Sequence, residues 1–183
     1  MSALIRTRRL ELRPAGVAEL EAELSGREAL AARLGVNVPD EWPPDLYDEA
    51  ALRYTLDVVR KAGGDSAWAM YYMVEPEQGT AVGVCGFKGP PDAEGTVELG
   101  YSVVGAYQRK GYATEATSGL MIRAFAEPSV TRVVAQTMPD LAASIGVLEK
   151  LGFRFAGVGD EPGVVRYEFT RADLGNADLA FGV

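Results

Sequence analysis

The stretch VELGYSVVGAYQRKGYATEA, residues 97–116, passes from a strand pattern to a helix pattern. Residues 96–104 are rich in apolar and β-forming side chains, which predicts a strand. After Gly111 the apolar residues recur at helical spacing, at Ala113, Ala116 and Leu120. Because further strands and helices alternate after this point, the chain is expected to build a mixed α/β fold around one sheet.

The loop between the two patterns, residues 108–113, has the composition of an anion site. It carries two cations, Arg109 and Lys110, directly before Gly111. The first turn of a helix presents unpaired backbone N–H groups and a partial positive charge, and both attract anions. Gly111 has no Cβ, so the backbone can approach a phosphate closely. The loop therefore predicts a pyrophosphate site; the alternative is an ordinary strand-to-helix turn.

Composition limits the classes of protein to which the chain can belong. Its 183 residues, 48% of them hydrophobic, suffice for one well-buried core, so we expect a single domain over residues 1–183. The net charge of −8 argues against a general nucleic-acid binder, since phosphate backbones recruit Lys and Arg. No secretory h-region follows the N-terminal arginines, and the longest apolar run, residues 67–74, is far shorter than the ~20 residues that span a bilayer. We therefore expect a cytoplasmic protein without nucleic-acid or membrane partners.

Two residue counts narrow the chemistry. The chain has no histidine, which removes the usual general base, the Ser-His and Cys-His nucleophile pairs and the commonest zinc ligand. No metal is expected. The one cysteine, Cys85, lies in an apolar, strand-like segment and is expected to be a buried small hydrophobe rather than a nucleophile.

The remaining sequence divides into elements by its hydrophobic period. The predicted elements are a strand at residues 7–13, two helical segments separated at Gly26, a helix at 48–61, strands at 67–75, 81–88 and 96–104, a helix after Gly111, a strand at 132–137, a helix at 141–151 and a hairpin of 153–158 with 164–170. The two segments between the middle strands have turn chemistry, so those strands are expected to form an antiparallel meander. The last dozen residues are expected to be a weakly held tail.

Two motifs resemble signatures of one enzyme family. Gln108-x-x-Gly111-x-Ala113 resembles the Gln/Arg-x-x-Gly-x-Gly/Ala signature of the GNAT superfamily of N-acetyltransferases. The segment AASIGVLEKLGF, residues 142–153, looks like its second signature, in the form typical of the branch that contains the ribosomal-protein N-terminal acetyltransferases. The opening TRRLELRP, residues 7–14, also resembles that branch. The resemblance covers nearly the whole domain in the right order and is weakest over residues 25–66.

The resemblance implies a fold and a co-substrate. The fold is a single mixed, mostly antiparallel sheet of about seven strands, flanked by helices. The sheet is splayed between its fourth and fifth strands, here residues 96–104 and 132–137, to admit the pantetheine arm of acetyl-CoA. The expected cofactor-binding residues are Val103 and Val104, whose backbone groups would pair with pantetheine, and Gln108, Arg109, Lys110, Gly111, Tyr112, Ala113 and Thr114 around the pyrophosphate.

The resemblance also implies direct attack of an amine on the thioester, and it points to three further side chains. Glu98 resembles the position of a base that takes the amine proton and is also expected to contact the acceptor; the alternative is a solvent-facing strand residue. Ser144 is expected to donate a proton to the departing thiolate; the alternative is a helix cap. Trp42 lies where family substrates bind. Tyr101 and Tyr107 are interpreted as packing residues.

Two residues depart from the family pattern, and the second departure shifts weight onto Ser144. Leu141 stands where relatives usually carry an asparagine that contacts pantetheine, and Leu148 stands where many other branches keep a catalytic tyrosine.

The sequence does not decide whether the acceptor is a protein N-terminus or a small-molecule amine. A non-catalytic acyl-CoA-binding sensor or interaction module is the alternative from another class. A nucleotide-binding protein is disfavoured because the chain lacks a Walker motif and has one glycine where a dinucleotide fingerprint needs several. A homodimer is compatible with the sequence.

Overall fold

The computed structural model describes residues 4–175. The predicted tail lies mostly outside the described residues. Within them the chain forms β1 (Ile5–Arg6), β2 (Glu11–Pro14), α1 (Val17–Ser25), α2 (Arg27–Leu34), α3 (Glu49–Lys61), β3 (Met70–Glu75), β4 (Thr80–Phe87), β5 (Thr96–Val103), α4 (Tyr112–Phe125), β6 (Arg132–Thr137), α5 (Ala142–Lys150), β7 (Arg154–Val158) and β8 (Val165–Thr170). Two short 3-10 helices lie at Gly105–Tyr107 and Arg171–Gly175.

These strands form one sheet in the order β1-β2-β3-β4-β5-β6-β8-β7. All neighbouring strands are antiparallel except β5 and β6, which are parallel. The predicted meander of β3, β4 and β5 and the hairpin of β7 with β8 are confirmed. A mixed, mostly antiparallel sheet flanked by helices is thus the architecture expected from the sequence.

The predicted opening strand, residues 7–13, is wrong at its start. The backbone N–H of Thr7 donates to the carbonyl of Leu10 at 2.9 Å, so residues 7–10 form a turn. This turn separates the two-residue strand β1 from β2 and gives the sheet eight strands where about seven were expected. The fourth and fifth strands of the prediction are therefore β5 and β6.

The sheet separates two apolar layers. On one face, α4 and α5 bury Leu120, Met121 and Leu148 against side chains of β5 that include Val97 and Leu99. On the other face, α1, α2 and α3 cover β3 and β4. The sequence thus places the anion-site helix α4 on one face and the segment with Trp42 on the other.

Strands β5 and β6 pair over only half of β5. The parallel register runs from Thr96 opposite Arg132 to Leu99 opposite Ala135 and then stops, whereas β5 stays paired with β4 as far as Val103. From Gly100 onward β5 therefore has no hydrogen-bonded neighbour on its β6 side within the described residues. This divergence is the expected splay.

Candidate active site

The loop after β5 reverses direction through two residues with left-handed backbone. Arg109 has φ 60° and Gly111 has φ 82°, and α4 begins at Tyr112. A positive φ is unusual for a non-glycine residue. A Cβ added to Gly111 would lie 3.3 Å from the Arg9 guanidinium. Glycine at position 111 is thus favoured both by its φ and by the close approach of Arg9.

Six consecutive backbone N–H groups at this corner lack an acceptor. None of the amides from Arg109 to Thr114 donates to a group within residues 4–175, and the first helical bond runs from Glu115 to the carbonyl of Gly111 at 3.0 Å. Free N–H groups at a helix N-terminus carry partial positive charge and bind anions. All six belong to residues that the sequence assigned to the pyrophosphate.

A third cation lies beside this loop, and the sequence did not predict it. Arg9 donates from Nη1 to the carbonyl of Lys110 at 3.0 Å, and its guanidinium lies 4.7 Å from the centre of the Tyr112 ring. The Lys110 ammonium lies 4.9 Å from the centre of the Tyr107 ring. Arg9, Arg109 and Lys110 thus surround the free amides with positive charge in a protein that is acidic overall.

Glu115 ties the N-terminal segment to the first turn of α4. Its carboxylate accepts hydrogen bonds from the Thr7 hydroxyl at 2.7 Å, the Arg9 amide at 2.6 Å and Arg9 Nε at 2.7 Å. Burial alone would raise the pKa of Glu115, but these donors and the charge of Arg9 outweigh it and hold the pKa below its usual value. The carboxylate is therefore ionised at neutral pH and keeps Arg9 beside the loop.

Hydrogen-bond alternation decides which residues of β5 face the splay. Val104 donates to the Val82 carbonyl and Lys88 donates to the Glu98 carbonyl, both at 2.9 Å, so the even-numbered residues of β5 bond to β4. In an antiparallel pair the intervening residues direct their N–H and C=O groups to the other side. Tyr101 and Val103 therefore point their backbone groups toward the gap.

This alternation corrects one expected cofactor contact. Val104 uses its N–H on Val82, and its carbonyl accepts from Tyr107 at 2.8 Å, so it offers no free N–H for pantetheine. Tyr101, and not Val104, directs its backbone groups toward the gap together with Val103. Gln108 also turns away from the loop, because its side-chain amide donates to the Val103 carbonyl at 3.0 Å.

Ser144 lies beside Tyr101 rather than at a helix cap. The Tyr101 hydroxyl donates to the backbone carbonyl of Ser144 at 3.0 Å and is 3.4 Å from its Oγ. The cap position of α5 is Leu141, which makes no side-chain cap in the described structure. Burial raises the pKa of Tyr101 to about 12, and the hydrogen bond to Ser144 opposes this only in part. Tyr101, interpreted from sequence as packing, thus joins α5 to the splayed strand.

Glu98 lies on the opposite face of β5 from Tyr101, because side chains alternate along a strand. One carboxylate oxygen is ion-paired with the Lys88 ammonium, and the other accepts from Gln136 Nε2 at 3.1 Å. Gln136 Nε2 also donates to Asp160 at 2.7 Å. Glu98 is thus held in a polar network, and its side chain is only 18% exposed. The structure places Glu98 and Ser144 on different faces of β5.

The segment that contains Trp42 contacts the face of β5 that carries Glu98. The Ser102 hydroxyl of β5 donates to the carbonyl of Asp45 at 2.5 Å. The indole N–H of Trp42 donates to Glu23 at 2.7 Å. Residues 42–45 therefore connect α1 to the strand that carries Glu98, although Trp42 itself lies on the other face of the sheet from α4.

The described residues offer neither a reactive thiol nor a metal site in addition to these groups. Cys85 is 2% exposed, as predicted, and burial raises its thiol pKa, which disfavours a reactive thiolate. Within residues 4–175 no cluster of three or more Asp, Glu, Cys or His side chains is arranged to hold a metal ion. Over the same residues, no helix is both long and apolar enough to cross a membrane.

Comparisons with known proteins bear on the family and on the fold. The family described as "Acetyltransferase (GNAT) domain" matches residues 9–154. An uncharacterized N-acetyltransferase of Bacillus subtilis, YjdG, is 31% identical over 150 residues, which are 82% of this chain and 89% of that protein.

Solved structures share the fold at lower identity. A GNAT-family acetyltransferase from Bacillus anthracis has a TM-score of 0.64 at 22% identity, over 92% of this chain and 98% of that one. RimJ from Mycobacterium smegmatis, in complex with CoA-disulfide, has a TM-score of 0.66 at 19% identity, over 94% and 89%. The likeness confirms the fold expected from the sequence.

Proposed function

Since this chain belongs to the GNAT acetyltransferase family, we propose that it forms one domain that transfers the acetyl group of acetyl-CoA to a primary amine by direct attack. One observation carries the proposal: the run of free amides from Arg109 to Thr114, at the mouth of the splay between β5 and β6. An anion-binding corner next to an unpaired strand edge suits a ligand with a pyrophosphate and an extended amide-bearing arm.

Acetyl-CoA would be bound by two parts of the protein, the free amides at the start of α4 and the unpaired edge of β5. The six amides would hold the pyrophosphate, and Arg9, Arg109 and Lys110 would offset its charge. The carbonyl of Tyr101 and the N–H of Val103 would pair with the amides of the pantetheine arm in the manner of an added strand. The acetyl group would then lie beside β5, between the Glu98 face and the Ser144 side.

The reaction needs a base, a donor to the oxyanion and an acid, and residues on β5 or next to it would supply all three. The amine must lose its proton before it attacks, and Glu98 is the carboxylate on the acceptor face. The N–H of Tyr101, which points toward the gap, would stabilise the negative charge that develops on the acetyl oxygen. Ser144 would donate its hydroxyl proton to the thiolate as the carbon–sulfur bond breaks, with the Tyr101 hydroxyl beside it.

Acetyl-CoA and CoA are expected to raise the melting temperature by several degrees, whereas ATP at equal concentration raises it less. The amides hold a pyrophosphate only in the folded loop, so the ligand stabilises by mass action, by about 2.7 kcal/mol at a hundredfold excess over Kd. Thermal shift measures this. No preference for the CoA compounds over ATP would refute the proposal. CoA binding without thiol release from any amine in a panel that includes free peptide N-termini would favour a non-catalytic acyl-CoA sensor.

Glu98→Gln is expected to lower kcat/KM by about tenfold or more near neutral pH, with partial recovery at higher pH as free amine accumulates. Lys88→Met is compared with Glu98→Gln to separate the role of the carboxylate from that of its ion pair. It removes the ammonium that pairs with Glu98 but leaves the carboxylate in place. Activity should therefore persist in Lys88→Met. Glu94→Gln changes an exposed carboxylate just before β5 and serves as the control. An unaltered pH dependence in Glu98→Gln would assign the proton to water or to another group.

A further inference from the structure

The orientation of one peptide group decides what the corner before α4 presents to an anion. Gly111 has φ 82° and ψ 5°. These angles match the third residue of a type II turn, about 80° and 0°, and not that of a type I turn, about −90° and 0°. The two turns differ in the peptide group before that residue, here Lys110–Gly111, which is rotated by about half a turn between them. Since glycine adopts both conformations with little strain, the residues of the loop alone do not fix this peptide group.

Rotation of this peptide group would replace a hydrogen-bond donor by an acceptor. In a trans peptide the C=O and the N–H point in opposite directions. The Lys110 carbonyl accepts a hydrogen bond from Arg9, so the N–H of Gly111 points away from Arg9, and it has no acceptor within residues 4–175. After rotation the Lys110 carbonyl would stand where this N–H now is, and a carbonyl oxygen offers no proton to a phosphate. Anion binding at the corner therefore depends on which way the Lys110–Gly111 peptide group faces.

Arg9 holds the Lys110 carbonyl and is itself held by Glu115. Arg9 Nη1 donates to the carbonyl at 3.0 Å, and Nε donates to Glu115 at 2.7 Å. Glu115 also accepts from the backbone N–H of Arg9 at 2.6 Å and from the Thr7 hydroxyl at 2.7 Å, and the guanidinium lies 4.7 Å from the centre of the Tyr112 ring. Because Nε and Nη1 belong to one rigid plane, the bond to Glu115 also directs Nη1 toward the Lys110 carbonyl.

The positive charge of Arg9 accounts for only part of this arrangement. The guanidinium is ion-paired with Glu115 at 2.7 Å, so the pair as a whole brings no net charge to the corner. Arg109 and Lys110, by contrast, form no ion pair within residues 4–175. What the pair adds to those two cations is a fixed donor for the Lys110 carbonyl.

We propose that Arg9 and Glu115 are positioning residues of the acetyl-CoA site: Glu115 orients Arg9, and Arg9 holds the Lys110–Gly111 peptide group so that the N–H of Gly111 faces the pyrophosphate. The inference rests on the proposed function, which assigns the pyrophosphate to this corner. The pair sets the affinity for acetyl-CoA and does not act on the acceptor amine.

Calorimetric titration with acetyl-CoA separates this role from that of a counter-charge. Arg9→Lys keeps the charge but has one nitrogen in place of a rigid pair, so it should bind acetyl-CoA about tenfold more weakly, whereas a counter-charge would be preserved. Glu115→Gln removes a negative charge beside the corner, which by charge alone would tighten anion binding. It should instead weaken binding by about fivefold, because the charged partner that orients Arg9 is lost. The double variant should bind no more weakly than Arg9→Lys, since both changes break one chain of contacts.

Arg13→Lys is the matched control, because Arg13 makes the same pattern of contacts elsewhere. It donates from Nε to Glu11 at 3.1 Å and from Nη1 to the carbonyl of Leu34 at 2.8 Å. Leu34 ends α2, which covers the other face of the sheet from α4. Arg13→Lys should lose about as much stability as Arg9→Lys and bind acetyl-CoA like the wild type. In steady-state kinetics, Arg9→Lys should raise KM for acetyl-CoA but not KM for the amine.

Three results would overturn the proposal: wild-type affinity in Arg9→Lys, tighter binding in Glu115→Gln, or an equal loss of affinity in Arg13→Lys. Melting temperatures show whether each variant folds, and Glu115→Gln tests the same point if Arg9→Lys unfolds. Failure of the proposed function looks different. In that case the wild type itself shows no binding of acetyl-CoA, or no thiol release with any amine.

Discussion

Gly111→Val is expected to reduce the affinity for acetyl-CoA by about a hundredfold, a much larger effect than its cost in stability. The φ of 82° at this position disfavours a β-branched residue, and the new side chain would stand in front of the free amides and against Arg9. The strain itself costs about 1–3 kcal/mol. Calorimetric titration gives the affinity, and thermal unfolding gives the stability of the same preparation.

Gly35→Val is the matched control. Gly35 also has a left-handed backbone, with φ 67°, and has no atom within 4 Å of an added Cβ. It ends α2, on the other face of the sheet from α4. The control should lose similar stability and bind acetyl-CoA like the wild type. If Gly111→Val also binds like the wild type, the phosphates lie elsewhere.

Charge substitutions in the same loop should have smaller effects. Arg109 and Lys110 are exposed, and exposed charges contribute modestly in physiological salt. Arg109→Ala and Lys110→Ala should each weaken acetyl-CoA binding only a few-fold. This ranking distinguishes a cradle built from backbone amides from one built from side-chain cations.

The sequence predicted the strand, the loop and the helix around Gly111 because these elements are local. The strand, the two cations, the glycine and the helix follow one another over residues 96–116, so spacing alone indicates their arrangement. The third cation could not be found this way. Arg9 reaches the loop through Glu115, which lies 106 residues away along the chain, and no periodicity records a contact of that range.

The sequence also does not show which residues of β5 form hydrogen bonds with β4. An apolar strand pattern predicts β5 but not which of its residues bond to β4, so it does not distinguish Val104, whose N–H is bonded to Val82, from Tyr101. The cluster around Glu23 shows the same limit. Trp42, Tyr47 and Tyr72 come from three segments, and their burial is readable from composition, whereas their convergence on one carboxylate depends on tertiary packing.

Ser144→Ala is expected to lower kcat by about a hundredfold while the affinity for acetyl-CoA changes little, because general acid catalysis typically contributes 10²–10⁴. Tyr101→Phe should lower kcat by about tenfold, because its hydroxyl, at 3.4 Å, orients the Ser144 Oγ. Tyr71→Phe is the control. It removes a tyrosine hydroxyl that donates to a backbone carbonyl, that of Ala67, at 2.9 Å and away from α5. Each phenylalanine variant should lose about 1 kcal/mol of stability, but only Tyr101→Phe should lose turnover.

The double variant decides whether Ser144 and Tyr101 act as a unit. If Tyr101 works through Ser144, Tyr101→Phe should add almost nothing to the defect of Ser144→Ala, whereas independent roles would multiply the two losses. Because the pKa of Tyr101 is about 12, its hydroxyl stays protonated below that pH. The defect of Tyr101→Phe should therefore be the same at about pH 7 and about pH 9. Multiplied losses would mean that Tyr101 acts without Ser144, and an unchanged kcat in Ser144→Ala would remove the serine from the acid role altogether.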